Sequence, residues 1–278
     1  MAGGSLVEQL AGHVKDSAEF HFPWGTLEIP SFLTSLGMTK YILIEMGVAT
    51  LMCAIFIPMA SRVRGGQPAK GRFWNMIELF LAYLKDQVIV PSIGSAKDAA
   101  PYIPYLWTLF FFILFCNLAG LLPWMGSPTG AFTVTLTLAL LTLVLVTATG
   151  LLRHGAVGFW VGMVPHIEGK VGPINIATVL APILFALEVF SFFVKHCTLC
   201  IRLMANMFGG HLMLAVFLAF IPMSALSAWA VYIWLPVTLL SVAASIAISF
   251  LELLVAFLQA YIFTFLTSVY IGMAIHQH

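Results

Sequence analysis

Apolar positions in this chain gather into long runs separated by short clusters of prolines, glycines and charges. Residues 1–39 mix the two classes, with Pro23, Gly25, Pro30 and Gly37 as breakers, and predict an N-terminal extramembrane segment. The run from Tyr41 to Met59 can cross ~30 Å of hydrocarbon at about 1.5 Å per residue, so a first span is placed over 40–60. Arg62, Arg64, Lys70 and Arg72 follow closely. Cations crowded into a short connection stay on the cytoplasmic side or its organellar equivalent, which leaves the N-terminus outside.

Between Phe73 and Val90 the pattern changes. Asn75, Glu78, Lys85 and Asp86 recur at helical spacing against Trp74, Ile77, Phe80, Leu81, Leu84 and Val88. One polar stripe on an apolar helix predicts an amphipathic helix over 73–90 lying at the membrane surface. A second membrane helix follows over 101–123, ending at Pro123, with Asn117 and Gly120 as helix-packing residues. Gly126, Pro128 and Gly130 make a turn, and a third helix over 132–152 returns to Arg153 and His154. Residues 153–173 form the inner connection.

The last third is organised differently. The apolar run from Ile174 to Phe220 measures about 70 Å if helical, and that from Val237 to Ala274 nearly ~60 Å, against ~30 Å of hydrocarbon. Neither run holds a polar reversal wide enough for a hairpin loop, so both predict strongly tilted helices, the first bent at Pro182 or at Gly209-Gly210. Pro222 and Pro236 bound the segment between them, so residues 174–278 are expected to fold as a long antiparallel hairpin. The fold class is an all-α polytopic membrane protein.

Composition agrees with the pattern: 61% of the 278 residues are hydrophobic and only 8% charged, which excludes an ordinary soluble domain. A net charge of +1, without a basic run or a Gly-rich phosphate loop, excludes a nucleic-acid partner and nucleotide chemistry. Cys197 and Cys200 form a CxxC with no second pair, so zinc would lack ligands; no metal or cofactor is expected. No charged-then-apolar leader precedes the run at Tyr41, and no cleaved signal is expected.

Against this background Arg202 stands out. An arginine at the centre of a membrane helix costs about 2.5–3.5 kcal/mol, so it should face a polar cavity or a partner charge. At 100° per residue Lys195 and Glu188 lie within about 40° of Arg202, whereas His211 points to about the opposite face. On the final helix Glu252 and Gln259 share a face. A hairpin turn centred near residue 231 would set Arg202 level with Gln259 and His211 level with Glu252. On a histidine opposite a carboxylate, charge attraction and desolvation act in opposite directions, which brings proton exchange near neutral pH within reach. Lys195 reads as a snorkelling cation.

The stretch Ile201-Arg202-Leu203, followed by Ala205-Asn206-Met207, Gly210 and His211, together with Leu258-Gln259-Ala260-Tyr261-Ile262-Phe263, resembles the a subunit of F-type ATP synthases. Weaker agreement extends to His13-Val14-Lys15-Asp16-Ser17, the helix around Glu78, Asn117-Leu118 and Gly120-Leu121-Leu122-Pro123. The resemblance implies five membrane-embedded helices plus a surface helix, with the last two forming a long inclined hairpin against a rotating ring of c subunits. It implies that Arg202 is the essential arginine. Asn206, His211, Glu252 and Gln259 would line or adjoin an outer half-channel, and Glu188 an inner one. Implied partners are the c-subunit ring, the peripheral-stalk b subunits, the remaining ATP synthase subunits, which carry the ATP chemistry, and the lipid bilayer of an energy-transducing membrane, such as a bacterial inner membrane.

Many members place an acid on the first hairpin helix and a histidine on the last; here His211 and Glu252 are exchanged. His196 stands where proline is usual, and Ala131 and Thr133 stand where an acid and an asparagine are frequent. The competing readings are a self-contained secondary transporter using Arg202 and Glu252 as ligands, and a structural subunit of a respiratory complex. No internal repeat supports the former, and the latter leaves Arg202, His211 and Glu252 unexplained.

Overall fold

The computed structural model describes residues 19–22, 25–28, 39–63, 71–122, 126–162, 176–225 and 230–276. The stretch His13–Ser17, Arg64, Lys70, Pro123 and most of the inner connection, including Glu168 and Lys170, lie outside the described residues. Among the described residues the secondary structure is helical apart from one short antiparallel hairpin, β1 (Glu19–Phe22) with β2 (Gly25–Glu28), in the N-terminal segment. Its helices are α1 (Lys40–Val63), α2 (Arg72–Tyr83), α3 (Val90–Ile93), α4 (Ala96–Ala99), α5 (Ile103–Leu121), α6 (Phe132–Gly162), α7 (Ile176–Ala225) and α8 (Ala230–Ile275). Five of them, α1, α5, α6, α7 and α8, are long and apolar enough to cross a membrane. With 50 residues in α7 and 46 in α8, each far exceeds an upright crossing.

Sequence explains the departures from simple helices. Between α2 and α3, residues Leu84–Ile89 wind as a π-helix. That widened turn takes up extra residues, and so keeps Leu84, Val88, Ile89 and Ile93 on one buried side while Lys85, Asp86 and Gln87 stay exposed. The surface helix expected over 73–90 thus starts at Arg72 and runs through the π turn into α3. Gly94, at φ 95°, ends α3 in the left-handed conformation that a Cβ would disfavour. The third membrane helix does not stop at Leu152: α6 continues to Gly162 across a kink at Gly155, whose φ is 75°. Beyond the kink Phe159 packs, fully buried, where a side chain at Gly150 would stand. In α7 the helix runs on through Gly209 and Gly210.

Contacts divide the chain into two compact units. The first comprises Met1–Gln67, Phe110–Thr135 and Arg202–Tyr261. Its helices interlock through aromatic pairs, Phe56 with Phe111 at 4.8 Å and Phe110 with Phe257 at 5.8 Å between ring centroids. A fully buried polar chain joins α5, the following turn and α8: Ser127 donates to Thr129 (2.9 Å), Thr129 donates to the Asn117 carbonyl oxygen (2.6 Å), and the Asn117 amide donates to the Ala256 carbonyl (3.1 Å). Asn117 and Gly120 are therefore packing residues, since Gly120 also lets the Ser127 backbone approach to within 2.9 Å of where a Cβ would lie. In hydrocarbon such groups must find partners within the protein.

The second unit comprises Pro68–Leu109, Leu136–Ile201 and Ile262–His278. Trp107 donates its indole N–H to the Leu81 carbonyl (3.2 Å), tying α5 to α2. Arg153 pairs with Asp98. The end of α8 is held by two imidazoles: His154 donates to the Ile275 carbonyl (3.1 Å) and His276 donates to the Ile93 carbonyl (2.9 Å). Carbonyls at a helix C-terminus lack intrahelical partners, and these donors supply them. Gly272 meets the Ser92 backbone so closely that a Cβ would collide with the Ser92 carbonyl oxygen.

Gly272→Ala is therefore expected to destabilise the protein by about 1–3 kcal/mol, because the obstacle is backbone and cannot turn aside. Gly47→Ala, where nothing lies within 4 Å of an added Cβ, is the neutral control. Thermal unfolding of the detergent-solubilised protein measures both.

Candidate functional site

Among the described residues, one cavity within each unit holds ionisable side chains. The larger, about 750 Å³, belongs to the first unit and is lined by His211, Leu214, Leu218, Ser245, Ser249 and Glu252, with Gly120, Gly126, Ser127 and Gly130 of the connecting turn also in its wall. Nε2 of His211, Oε1 of Glu252 and the Ser245 hydroxyl are buried there and make no hydrogen bond among the described residues. Polar atoms without protein partners in an apolar surround call for water or a transferred proton.

The pairings expected across the hairpin hold only in part. Gln259, 1% exposed, accepts a hydrogen bond from the Asn206 side chain (2.9 Å), one turn beyond Arg202. Helical side chains lean toward their own N-terminus, so on α8, antiparallel to α7, Gln259 leans toward higher numbers of α7 and meets Asn206 instead of Arg202. His211 and Glu252 share a cavity wall without a direct bond. Glu252 lies against Gly210: a Cβ there would sit 3.0 Å from both Cγ and Cδ of the carboxylate side chain. Gly210 thus leaves room for Glu252.

Arg202 is half-buried, and its guanidinium makes no hydrogen bond or ion pair with any described residue. Around it α7 exposes Ile201, Phe208, Leu212 and Met213. Only 6% of the Pro182–Ile221 window is buried, against 44% of Ile103–Gly120, so most of α7 faces lipid or another protein. A cation on such a face needs a counter-charge from beyond the described residues.

The smaller cavity, about 220 Å³, belongs to the second unit and is lined by Glu188, Phe192 and Lys195 of α7, Tyr270 and His276 of α8, and Phe159 of α6 among others. Glu188 and Lys195 lie 4.0 Å apart, both partly exposed. Such a pair contributes little to stability but keeps the cavity wet and balanced in charge.

Some participants escaped the sequence reading. Ser245, Glu252 and Gln259 recur every seventh residue on α8, a polar stripe legible in the sequence once that spacing is sought. Lys40, 2% exposed, packs its ammonium over the Tyr41 ring (5.5 Å) and beside Gly126 of the cavity wall. It lies one residue before the apolar run, and only tertiary packing reveals it.

These features describe a polytopic membrane protein with ionisable side chains in cavities beside a long exposed helix. The sequence profile of the family described as ATP synthase A chain matches residues 42–272. ATP synthase subunit a of Rhodobacter capsulatus is 38% identical over 234 residues, covering 83% of this chain and 90% of that protein. That of Myxococcus xanthus is 34% identical over 257 residues (90% and 79%), and that of Chlorobium phaeobacteroides 34% over 270 residues (94% and 73%). The chain belongs to the ATP synthase A chain family. It is a stator subunit that conducts protons in the membrane sector of an ATP synthase, and the self-contained transporter reading is set aside.

Gly210→Ala drives a methyl group into the Glu252 side chain and is expected to lower ATP-driven proton pumping severalfold in assembled complexes. Gly47→Ala on α1, with nothing within 4 Å of the new methyl, should pump like wild type. Fluorescence quenching of a pH-sensitive dye in vesicles compares the two.

Proposed function

We propose that the two cavities are offset half-paths for protons, and that Arg202 couples them through a carboxylate carried by a rotating c-subunit ring. The observation that carries this reading is an arginine with no partner among the described residues, on the membrane helix whose described span is least buried. A proton arriving from the outer side passes the region of His211, Glu252 and the Asn206–Gln259 pair and neutralises the ring carboxylate, which can then face lipid at tolerable cost. After nearly a full turn the carboxylate meets the inner half-path, where Glu188 and Lys195 stand, and releases the proton. Arg202, always protonated, favours the ionised carboxylate and repels a proton that would pass directly between the half-paths. Transport therefore requires rotation.

Exchange of histidine and acid between the hairpin helices keeps one titratable group of each kind in the outer cavity. The exposed faces of α7 and α8 suit the ring and lipid, while the peripheral-stalk b subunits and the remaining ATP synthase subunits complete the machine. Arg62, Arg72 and Arg153 favour an N-terminus outside and a cytoplasmic C-terminus. The named relatives are bacterial, which supports a bacterial inner membrane.

In complexes carrying Arg202→Ala, ATP-driven pumping is expected to fall about a hundredfold or more while passive leak through the membrane sector persists or rises, since the seal is lost with the charge. Vesicle acidification with ATP, and proton flux under an imposed potential without it, measure the two arms. Unchanged pumping would remove Arg202 from the mechanism.

A further inference from the structure

The second unit contains an ionisable side chain that the proposed path does not use. His196 of α7 is 3% exposed. Its Nδ1–H donates to the Phe192 carbonyl (2.9 Å), so in the neutral ring the lone pair resides on Nε2. Nε2 is itself buried and meets no hydrogen-bond donor among the described residues. The ring lies 4.9 Å from that of Phe192 and 5.1 Å from that of Tyr270, and both neighbours line the smaller cavity. His196 is therefore one side chain behind the cavity wall. A leucine or phenylalanine would fill the same space without an unpaired nitrogen, so packing alone does not account for an imidazole.

We infer that His196 is a proton-binding residue of the inner half-path: Nε2 takes up a proton from the smaller cavity past the Tyr270 and Phe192 rings, placing a second positive charge beside Lys195. This rests on the reading of that cavity as the inner half-path. Only Nε2 changes state, because Nδ1–H keeps its bond to Phe192. The groups facing His196 set the balance. On α7 these are Lys195, the partly exposed Glu188 that pairs with it, and buried Cys200; on α8 they are Tyr270 and, across the cavity, His276. The cavity residues from α6, Val146, Phe159 and Gly162, carry no charge. With His196 neutral, Glu188 balances Lys195. Once His196 is protonated the wall is net positive, and a positive wall slows protons crossing it. Acid on the inner face thus throttles proton passage.

The test uses the complete ATP synthase in vesicles, with the wild-type chain, His196→Phe, His196→Asn or His196→Pro. Phenylalanine keeps the ring without nitrogen, asparagine keeps a donor for Phe192, and proline removes the ionisable group altogether. ATP-driven acidification is recorded with the ATP-side pH varied between 5 and 8, the range in which imidazoles titrate. The catalytic head is the same in all samples, so its own pH dependence cancels in the variant-to-wild-type ratio. The ratio is expected to be near one at the alkaline end and to rise about threefold toward the acid end along a one-proton curve, alike in every variant that assembles. A flat ratio would overturn the role of His196 while leaving the proposed function intact. Wild-type vesicles that fail to acidify at any pH would overturn the proposed function instead.

Discussion

A fixed positive charge in a medium that cannot solvate it is the constraint on which this molecule turns. Arg202 cannot lose its proton, and no described side chain neutralises it. Isolated in hydrocarbon it would oppose insertion of α7. In the proposed mechanism the cost becomes tolerable when a carboxylate of the ring is presented to it, and the exposed apolar side chains around Arg202 leave that approach open. On that reading, what limits stability in the free subunit becomes the source of coupling in the assembly.

The other polar groups follow the same logic at smaller scale. Asn117, Thr129 and Ser127 satisfy one another and a main-chain carbonyl, so they hold helices together. His211, Glu252 and Ser245 leave atoms unsatisfied in a cavity, which is what the proposed proton path requires of its lining. The difference between a structural and a conducting polar residue lies in whether its hydrogen-bonding capacity is used up inside the protein.

Much of this was legible in the chain. Run lengths against hydrocarbon thickness gave five membrane helices and marked the last two as unusual, and the cost of a buried charge singled out Arg202 before any likeness was considered. The finer geometry was not legible because it depends on terms that act at a distance in sequence. Level-matching across the hairpin resolves positions only to about one turn, and the lean of helical side chains then hands Gln259 to Asn206. The continuation of α6 past Leu152 follows from Gly155 and from a space at Gly150 that only Phe159 reveals. Lys40 and His196 are buried by neighbours remote in the chain, Gly126 and Tyr270 among them.

The fastening of the last helix has a mechanical meaning. A part that stays still while its neighbour turns must absorb a sideways load, and a long inclined rod would swing under that load if held at one point. At its C-terminal end α8 is pinned by His154 and His276 and seated by Gly272 directly on the backbone at Ser92, without a compliant side chain between. Further along, the Asn117 amide grips the same rod at Ala256. Each attachment, one of them main chain against main chain, braces its own part of α8 as a beam is braced and not left as a lever.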